Sequence, residues 1–242
     1  MQIVLTGASS GIGYHTAMAF LKNEKNSVYV ISRNREKLSA LQSESNRVNS
    51  PGKLILFPGD LNSVEDCERI KNGILTYTSS LDILINNAGL LINKPFEKLD
   101  QKDWELLYAT NVFAVVSLTQ KLLPLLSEAS IKPSGFRSHI LNIGSIGGLN
   151  GTSKFSGLSA YSSSKGALAI LTECLAEEFK ERKIAVNGLA LGSVETEMFK
   201  KAFPGLKASG TPEDMADYIA EFAMTGPMYY NGKNLSVSKS TP

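Results

Sequence analysis

A tyrosine and a lysine four positions apart, Tyr161 and Lys165 in Ser159-Ala160-Tyr161-Ser162-Ser163-Ser164-Lys165-Gly166-Ala167, form a pair able to move a proton. On a helix the two share one face. A phenol ordinarily titrates at about 10, so it exchanges protons near neutrality only where a nearby cation favours the phenolate, and an ammonium can be that cation. Tyr and Lys at this spacing also occur by chance on many helices. A second cluster is Thr6-Gly7-Ala8-Ser9-Ser10-Gly11-Ile12-Gly13, between an apolar run and a helical pattern. In a dinucleotide-binding turn one glycine permits the bend, another lets a pyrophosphate approach the main chain, and a third lets helix and strand pack closely. The helix N-terminus then faces the anion. Read alone, the segment is equally an ordinary strand-to-helix turn.

These residues must be positioned by regular elements. Short apolar runs recur at 2–6, 28–32, 53–57, 81–86, 139–143, 184–189 and 234–237. Helical patterns separate them at 11–23, 35–46, 63–79, 103–128, 160–182 and 212–225. The alternation predicts a parallel sheet, and continuous runs such as Ile83-Leu84-Ile85 predict strands covered on both faces. Asp103 and Pro212 read as helix starts, the latter after Thr211 as N-cap. Segments 147–157 and 199–210 read as loops at strand ends. No repeat or linker divides the chain, so residues 1–242 are expected to form one domain.

Lys and Arg number 25 against 23 acids, a net charge of +2, which gives no electrostatic footprint for nucleic acid. Cys67 and Cys174 lie far apart without CxxC spacing, so both read as structural thiols, with no disulfide framework and no metal site. No leader pattern opens the chain and no apolar run reaches the ~18 residues of a membrane span, so a cytoplasmic location and no membrane partner are expected.

The glycine spacing, Gly7, Gly11 and Gly13, differs from the common dinucleotide fingerprint and resembles that of the short-chain dehydrogenase/reductase family. Asn86-Asn87-Ala88-Gly89, Ser145, Tyr161 and Lys165 follow in the family's order, and the resemblance runs from Ile3 to about Val237. It implies a single-domain α/β Rossmann-type doubly wound parallel sheet of about seven strands with helices on both faces. It also implies hydride transfer between a nicotinamide and a carbonyl/alcohol substrate. The run at 28–32 ends in Ser32-Arg33, about 20 residues past the glycine turn, where an NAD enzyme would offer a carboxylate. Arg33 instead supplies a planar cation and Ser32 a hydroxyl, which selects the 2′-phosphate of NADP; the other reading of Arg33 is a solvated residue opening the next helix.

By the same resemblance Ser9, Ser10 and Ile12 join the three glycines at the pyrophosphate. Asp60 and Leu61 meet the adenine, unless Asp60 caps the next helix in competition with Ser63. Asn87, Ala88 and Gly89 flank the ribose, and Asn86 braces the central strands. Tyr161 is implied to be the general acid/base, Ser145 to hold the substrate oxygen, and Lys165 to hold the ribose hydroxyls. Asn111 is implied to hold a relay water. Gly192, the Val194 backbone and Thr196 would contact the carboxamide and phosphates. Two departures stand out. Ser145 and Tyr161 lie farther apart than in the family pattern, so the loop between them carries an insertion, and Leu191 stands where the family usually has proline, which puts loop rigidity in doubt.

For the substrate, Leu90, Leu91, Ile92, Phe96, Met198, Phe199 and Phe203 imply an apolar pocket. NADP-preferring members of two kinds fit it: reductases of 3-oxoacyl groups on acyl carrier protein, whose acidic carrier Lys200, Lys201 and Lys207 would meet, and reductases of free ketones, aldehydes or a pterin side chain. A silent NADP sensor would be expected to lose the tyrosine, lysine or serine, and all three are present. Family members commonly pair the helices at 103–128 and 160–182, so a homodimer or homotetramer is expected. His15 and His139 fit no catalytic role.

Overall fold

Residues that are apolar on alternate sides of a strand need cover from both directions, and the first strand shows how it is supplied. In β1 (Gln2–Thr6), Ile3 and Leu5 enter one core and Val4 the other. The computed structural model describes residues 1–238. It contains β2 (Ser27–Ser32), β3 (Lys53–Pro58), β4 (Ile83–Asn86), β5 (Ser138–Ser145), β6 (Ile184–Leu191) and β7 (Asn234–Val237). All seven strands pair in parallel in the order β3-β2-β1-β4-β5-β6-β7. On one face lie α1 (Gly11–Leu21), α2 (Arg35–Arg47) and α8 (Pro212–Thr225), which bury Phe20, Leu38, Ile219 and Phe222. On the other lie α3 (Val64–Leu75), α5 (Ala114–Ser127) and α6 (Ser159–Glu178), contributing Ile70, Ile74, Leu118, Leu122 and Ala176.

After β1 the chain moves outward to β2 and β3, then returns to place β4 on the other side of β1. Two neighbouring connections therefore leave in opposite directions, opening a crevice at the carboxyl ends of β1 and β4. The doubly wound parallel sheet expected from the sequence is the fold observed.

Several boundaries differ from the sequence expectation. The helix placed at 103 starts earlier, as α4 (Gln101–Tyr108), because Asp100 accepts from the Asp103 N–H while the Asp103 side chain accepts from the Asp100 N–H. It runs through a π-helical turn, Ala109–Phe113, into α5. Residues 101–127 form one continuous helix that is by length and composition apolar enough to cross a membrane. Leu118, Leu122 and Leu126 are fully buried in the protein's own core, so this is a core helix. The stretch read as a loop from 199 contains a short helix, α7 (Glu197–Ala202), nucleated by Thr196, whose hydroxyl accepts from the Phe199 N–H at 3.1 Å. Cys67 is buried as expected, whereas Cys174 is exposed on α6 and has no packing role.

Candidate active site

The glycine loop is shaped by steric necessity. Gly7 and Gly11 have φ of 70° and 55°, in the left-handed region. A Cβ on Gly13 would run into the carbonyl oxygen of Gly7 and the amide of Asn87, so α1 can approach β1 only with glycine there. Helices α2, α3, α4, α7 and α8 are closed by the side chains of Asn34, Ser63, Asp100, Thr196 and Thr211. Ser10, at the head of α1, makes no such bond, which leaves the first amides of that helix turned to the cleft and ready for an anion.

A residue the sequence reading passed over locks this loop. Thr6 Oγ1 accepts from the N–H groups of Asn87 (3.0 Å) and Ala88 (2.9 Å), and the Asn87 amide donates to the carbonyls of Thr6 (3.0 Å) and Gly7 (3.2 Å). The segment after β4 and the loop after β1 are thus one hydrogen-bonded unit. Behind it Asn86 donates to Asn142 Oδ1, and Asn142 donates to Thr172, each at 2.9 Å, a buried polar chain from β4 through β5 to α6. This is the bracing expected of Asn86; Asn142 and Thr172 gave no sign in the sequence beyond being polar in apolar surroundings.

Ser32 and Arg33 lie at the outer end of the same cleft, with Arg33 exposed and Asn34, not Arg33, opening α2. Ser63 caps α3 by accepting from Asp66, which leaves Asp60 and Leu61 on the cleft wall with Asp60 accepting from Asn62 at 3.0 Å. At the inner end, β6 delivers Gly192, Val194 and Thr196. Leu191, in place of proline, continues β6 between β5 and β7, the Gly192 N–H donates to the Val237 carbonyl at 2.9 Å, and a bridge between Val194 and Gly210 holds the loop that follows. Rigidity comes from those bonds instead of a pyrrolidine ring. Thr196 uses one lone pair for the α7 cap, keeping its O–H free to donate, and its methyl sits against Gly11.

The carboxyl end of β5 places Ser145 beside the first turn of α6, which carries Tyr161 and Lys165. Tyr161 is half-buried as a residue, yet its hydroxyl end lies deep enough that burial pushes the phenol above its ordinary value, while a hydrogen bond from Ser145 holds it down. Lys165 does not contribute to that balance. The Lys165 residue is 5% exposed, and its ammonium donates to the Ile143 carbonyl at 2.8 Å. The loop inserted between Ser145 and Tyr161 does not separate them. It folds onto itself, with Lys154 donating to Leu149 O (2.6 Å) and Thr152 O (3.1 Å), and Thr152 to Leu149 O (2.9 Å).

Asn111, implied to hold a relay water, is the central residue of the π-helical turn Ala109–Phe113. Fully buried in the π-helical turn, its amide is consumed by Leu90, accepting from the N–H at 2.8 Å and donating to the carbonyl at 3.0 Å, and by Ser164 at 3.0 Å. Its side chain fixes the segment after Gly89 and the turn of α6 between Tyr161 and Lys165, and Ser164 was not foreseen. His139 is sealed between the Ala223 carbonyl and the Asn187 amide, and burial drives it to about 4, a neutral structural residue. His15 pairs with Glu213 on the helix surface. Among the described residues no cluster of His, Cys, Asp and Glu could hold a metal.

Burial without an acidic partner lowers Lys165 from 10.5 to about 8, a difference of about 3 kcal/mol at ~1.4 kcal/mol per unit. The depressed value means the native state binds fewer protons than the unfolded chain between about 8 and 10.5, so stability rises with pH in that window and the full cost is present below it. Lys165→Met is therefore expected to stabilise the cofactor-free protein at neutral pH by about 1–2 kcal/mol, after losing the bond to Ile143. Denaturant titrations across this pH range should show that advantage shrinking as pH rises; a constant advantage would contradict it.

The cleft is continuous from Arg33 to Tyr161, about 780 Å³ in volume, and beyond Ser145 it widens into an apolar chamber walled by Leu90, Phe155, Leu158, Phe199 and Phe203. A glycine cradle, free helix amides, an exposed arginine following the second strand, and a hydroxyl–phenol–ammonium set at the far end define a dinucleotide-dependent oxidoreductase site on a doubly wound sheet. The chain belongs to the short-chain dehydrogenase family, whose model matches residues 1–207. It is 30% identical to the rhamnolipids biosynthesis 3-oxoacyl-[acyl-carrier-protein] reductase of Pseudomonas aeruginosa, across 97% of this chain and 93% of that protein. It is 26% identical to nodulation protein G of Azospirillum brasilense, across 97% and 95%. Among solved structures, the Pseudomonas aeruginosa RhlG/NADP complex superposes with a TM-score of 0.85 at 28% identity, covering 99% of this chain and 95% of that one. A 7α-hydroxysteroid dehydrogenase with NADH and a 7-oxo bile acid superposes with 0.87 at 26%, covering 99% and 93%.

Proposed function

We propose that this protein is an NADPH-dependent reductase of carbonyl compounds with apolar flanks. The observation that carries the reading is the Ser145–Tyr161 pair set at the floor of the aromatic chamber, at the end of a cleft whose other end presents Ser32 and Arg33. NADPH bound along that cleft supplies the hydride. Gly7, Ser9, Ser10, Gly11, Ile12 and Gly13 would receive the pyrophosphate, Asp60 and Leu61 the adenine, and Asn87, Ala88 and Gly89 the ribose. Gly192, Val194 and Thr196 would hold the carboxamide end.

Ser145 donates to the substrate oxygen and stabilises the negative charge that develops there. Tyr161 donates the proton to that oxygen, and the phenol's raised value keeps it protonated for the task. Lys165 holds the nicotinamide ribose hydroxyls and places a positive charge behind the phenol. Asn111 acts at one remove, fixing Leu90 and Ser164.

The substrate class favoured is a free ketone or aldehyde, because the basic rim that an acidic carrier would need is largely offset: Lys200 pairs with Glu195 at 3.4 Å, and Lys201 stands near Glu197. A 3-oxoacyl-[acyl-carrier-protein] is the second reading, favoured by the likeness to the Pseudomonas enzyme and by Lys207 at the chamber mouth. Comparing kcat/KM for free diketones with that for a carrier-bound 3-oxoacyl group, at low and high salt, separates them. Indifference to the carrier is expected; a carrier preference that fades with salt would overturn the free-ketone reading. Exposed Leu106, Phe113 and Ile170, on the long helix of residues 101–127 and on α6, support a homodimer or homotetramer formed through those helices.

A further inference from the structure

Lys37 and Glu197 join elements 160 positions apart. The Lys37 ammonium, in the first turn of α2, lies 2.9 Å from the carboxylate of Glu197, the first residue of α7. Asn34 accepts from the Lys37 N–H at 2.8 Å, which pins this turn directly behind Arg33. Glu197 lines the cleft together with Ser32, Arg33 and Thr196, so the ion pair spans the cleft edge beside the cation assigned to the 2′-phosphate. Both side chains are largely exposed, 42% and 66%, and such a pair adds little to stability. Its position is what matters.

We propose that Lys37 is a specificity-determining residue for the adenosine 2′-phosphate, with Glu197 as its counter-charge on α7; the proposal rests on the NADPH reading of Ser32–Arg33. A phosphomonoester carries about −1.5 to −2 charges at neutral pH, more than one guanidinium neutralises. A carboxylate at the same edge opposes it unless a cation stands between them. An ammonium has three donors and can serve carboxylate and phosphate together. Lys201, one turn along α7, also acts on Glu197, so that carboxylate keeps a cationic neighbour when Lys37 turns to the phosphate. A ribose diol lacks the charge to draw Lys37, so NADH gains nothing from it. The pair thereby ties α7, which walls the substrate chamber, to the identity of the cofactor.

The test is fluorescence titration of NADPH and NADH against the intact protein, Lys37→Met, Glu197→Gln, the double variant and Arg33→Ala. Lys37→Met should weaken NADPH about tenfold and change NADH by less than about twofold. Glu197→Gln should tighten NADPH about twofold, and by about fivefold when Lys37 is already Met, because no ammonium then stands between the charges. High salt should shrink these differences. Equal weakening of both cofactors by Lys37→Met, or no change in either, overturns the proposal. Arg33→Ala separates the layers: NADPH preference lost there but kept in Lys37→Met overturns Lys37 alone, whereas preference kept in both overturns the phosphate site itself.

Discussion

Replacing Tyr161 with Phe is expected to cut carbonyl reduction by a factor of about 10²–10⁴, the contribution of a positioned general acid, with NADPH affinity held within about twofold. The variant removes one oxygen and leaves the ring, so the chamber wall and α6 stay as they are. What is lost is the proton donor and the partner of Ser145. Steady-state rates and cofactor titrations on the same preparation check both halves. If the Phe variant keeps more than about a tenth of the activity, Tyr161 is not the acid. If NADPH affinity collapses as well, the phenol is holding the cofactor instead of serving the chemistry.

The second large effect belongs to Arg33. Wild-type protein is expected to bind NADPH at least about tenfold more tightly than NADH, and Arg33→Asp to lower NADPH affinity about a hundredfold, from a lost charge-assisted contact and a new repulsion. NADH should bind as well or better, because a carboxylate at the end of the second strand can accept from ribose hydroxyls. The side chain is exposed, so the substitution leaves the fold intact. Titration of both cofactors decides it, and equal affinities in the unmodified protein would contradict the assignment.

The residues that were legible in the sequence are those whose chemistry forces their type. Gly13 faces a carbonyl that no side chain can share, and Gly7 and Gly11 sit at positive φ, so the loop had to be written in glycine. Tyr161 and Lys165 share a helix face by spacing alone, and the strands read as apolar runs because both sheet faces are covered. What was not legible depends on contacts between segments distant in the chain. Thr6 looks like the last residue of a strand until Asn87 and Ala88, some eighty positions on, bring their amides to it. Ser164 is one serine in a row of three, and only the π-helical turn that points Asn111 at it marks it out. Asn111 itself was recognisable, but not that Leu90 would occupy its amide. The α7 helix escaped because six residues carry too little periodicity, and its one local signal was the threonine cap.

The account stands or falls on hydride transfer from NADPH to a carbonyl carbon governed by Tyr161. The direct measurement uses NADPH carrying deuterium at the transferable position, a panel of apolar ketones and diketones, and mass spectrometry of the alcohol formed by wild-type protein and by Tyr161→Phe. Deuterium at the carbinol carbon with the wild type, and almost none with the Phe variant at equal cofactor occupancy, is the predicted result. Firm NADPH binding with no deuterium in any product, or equal labelling by the two proteins, would contradict it.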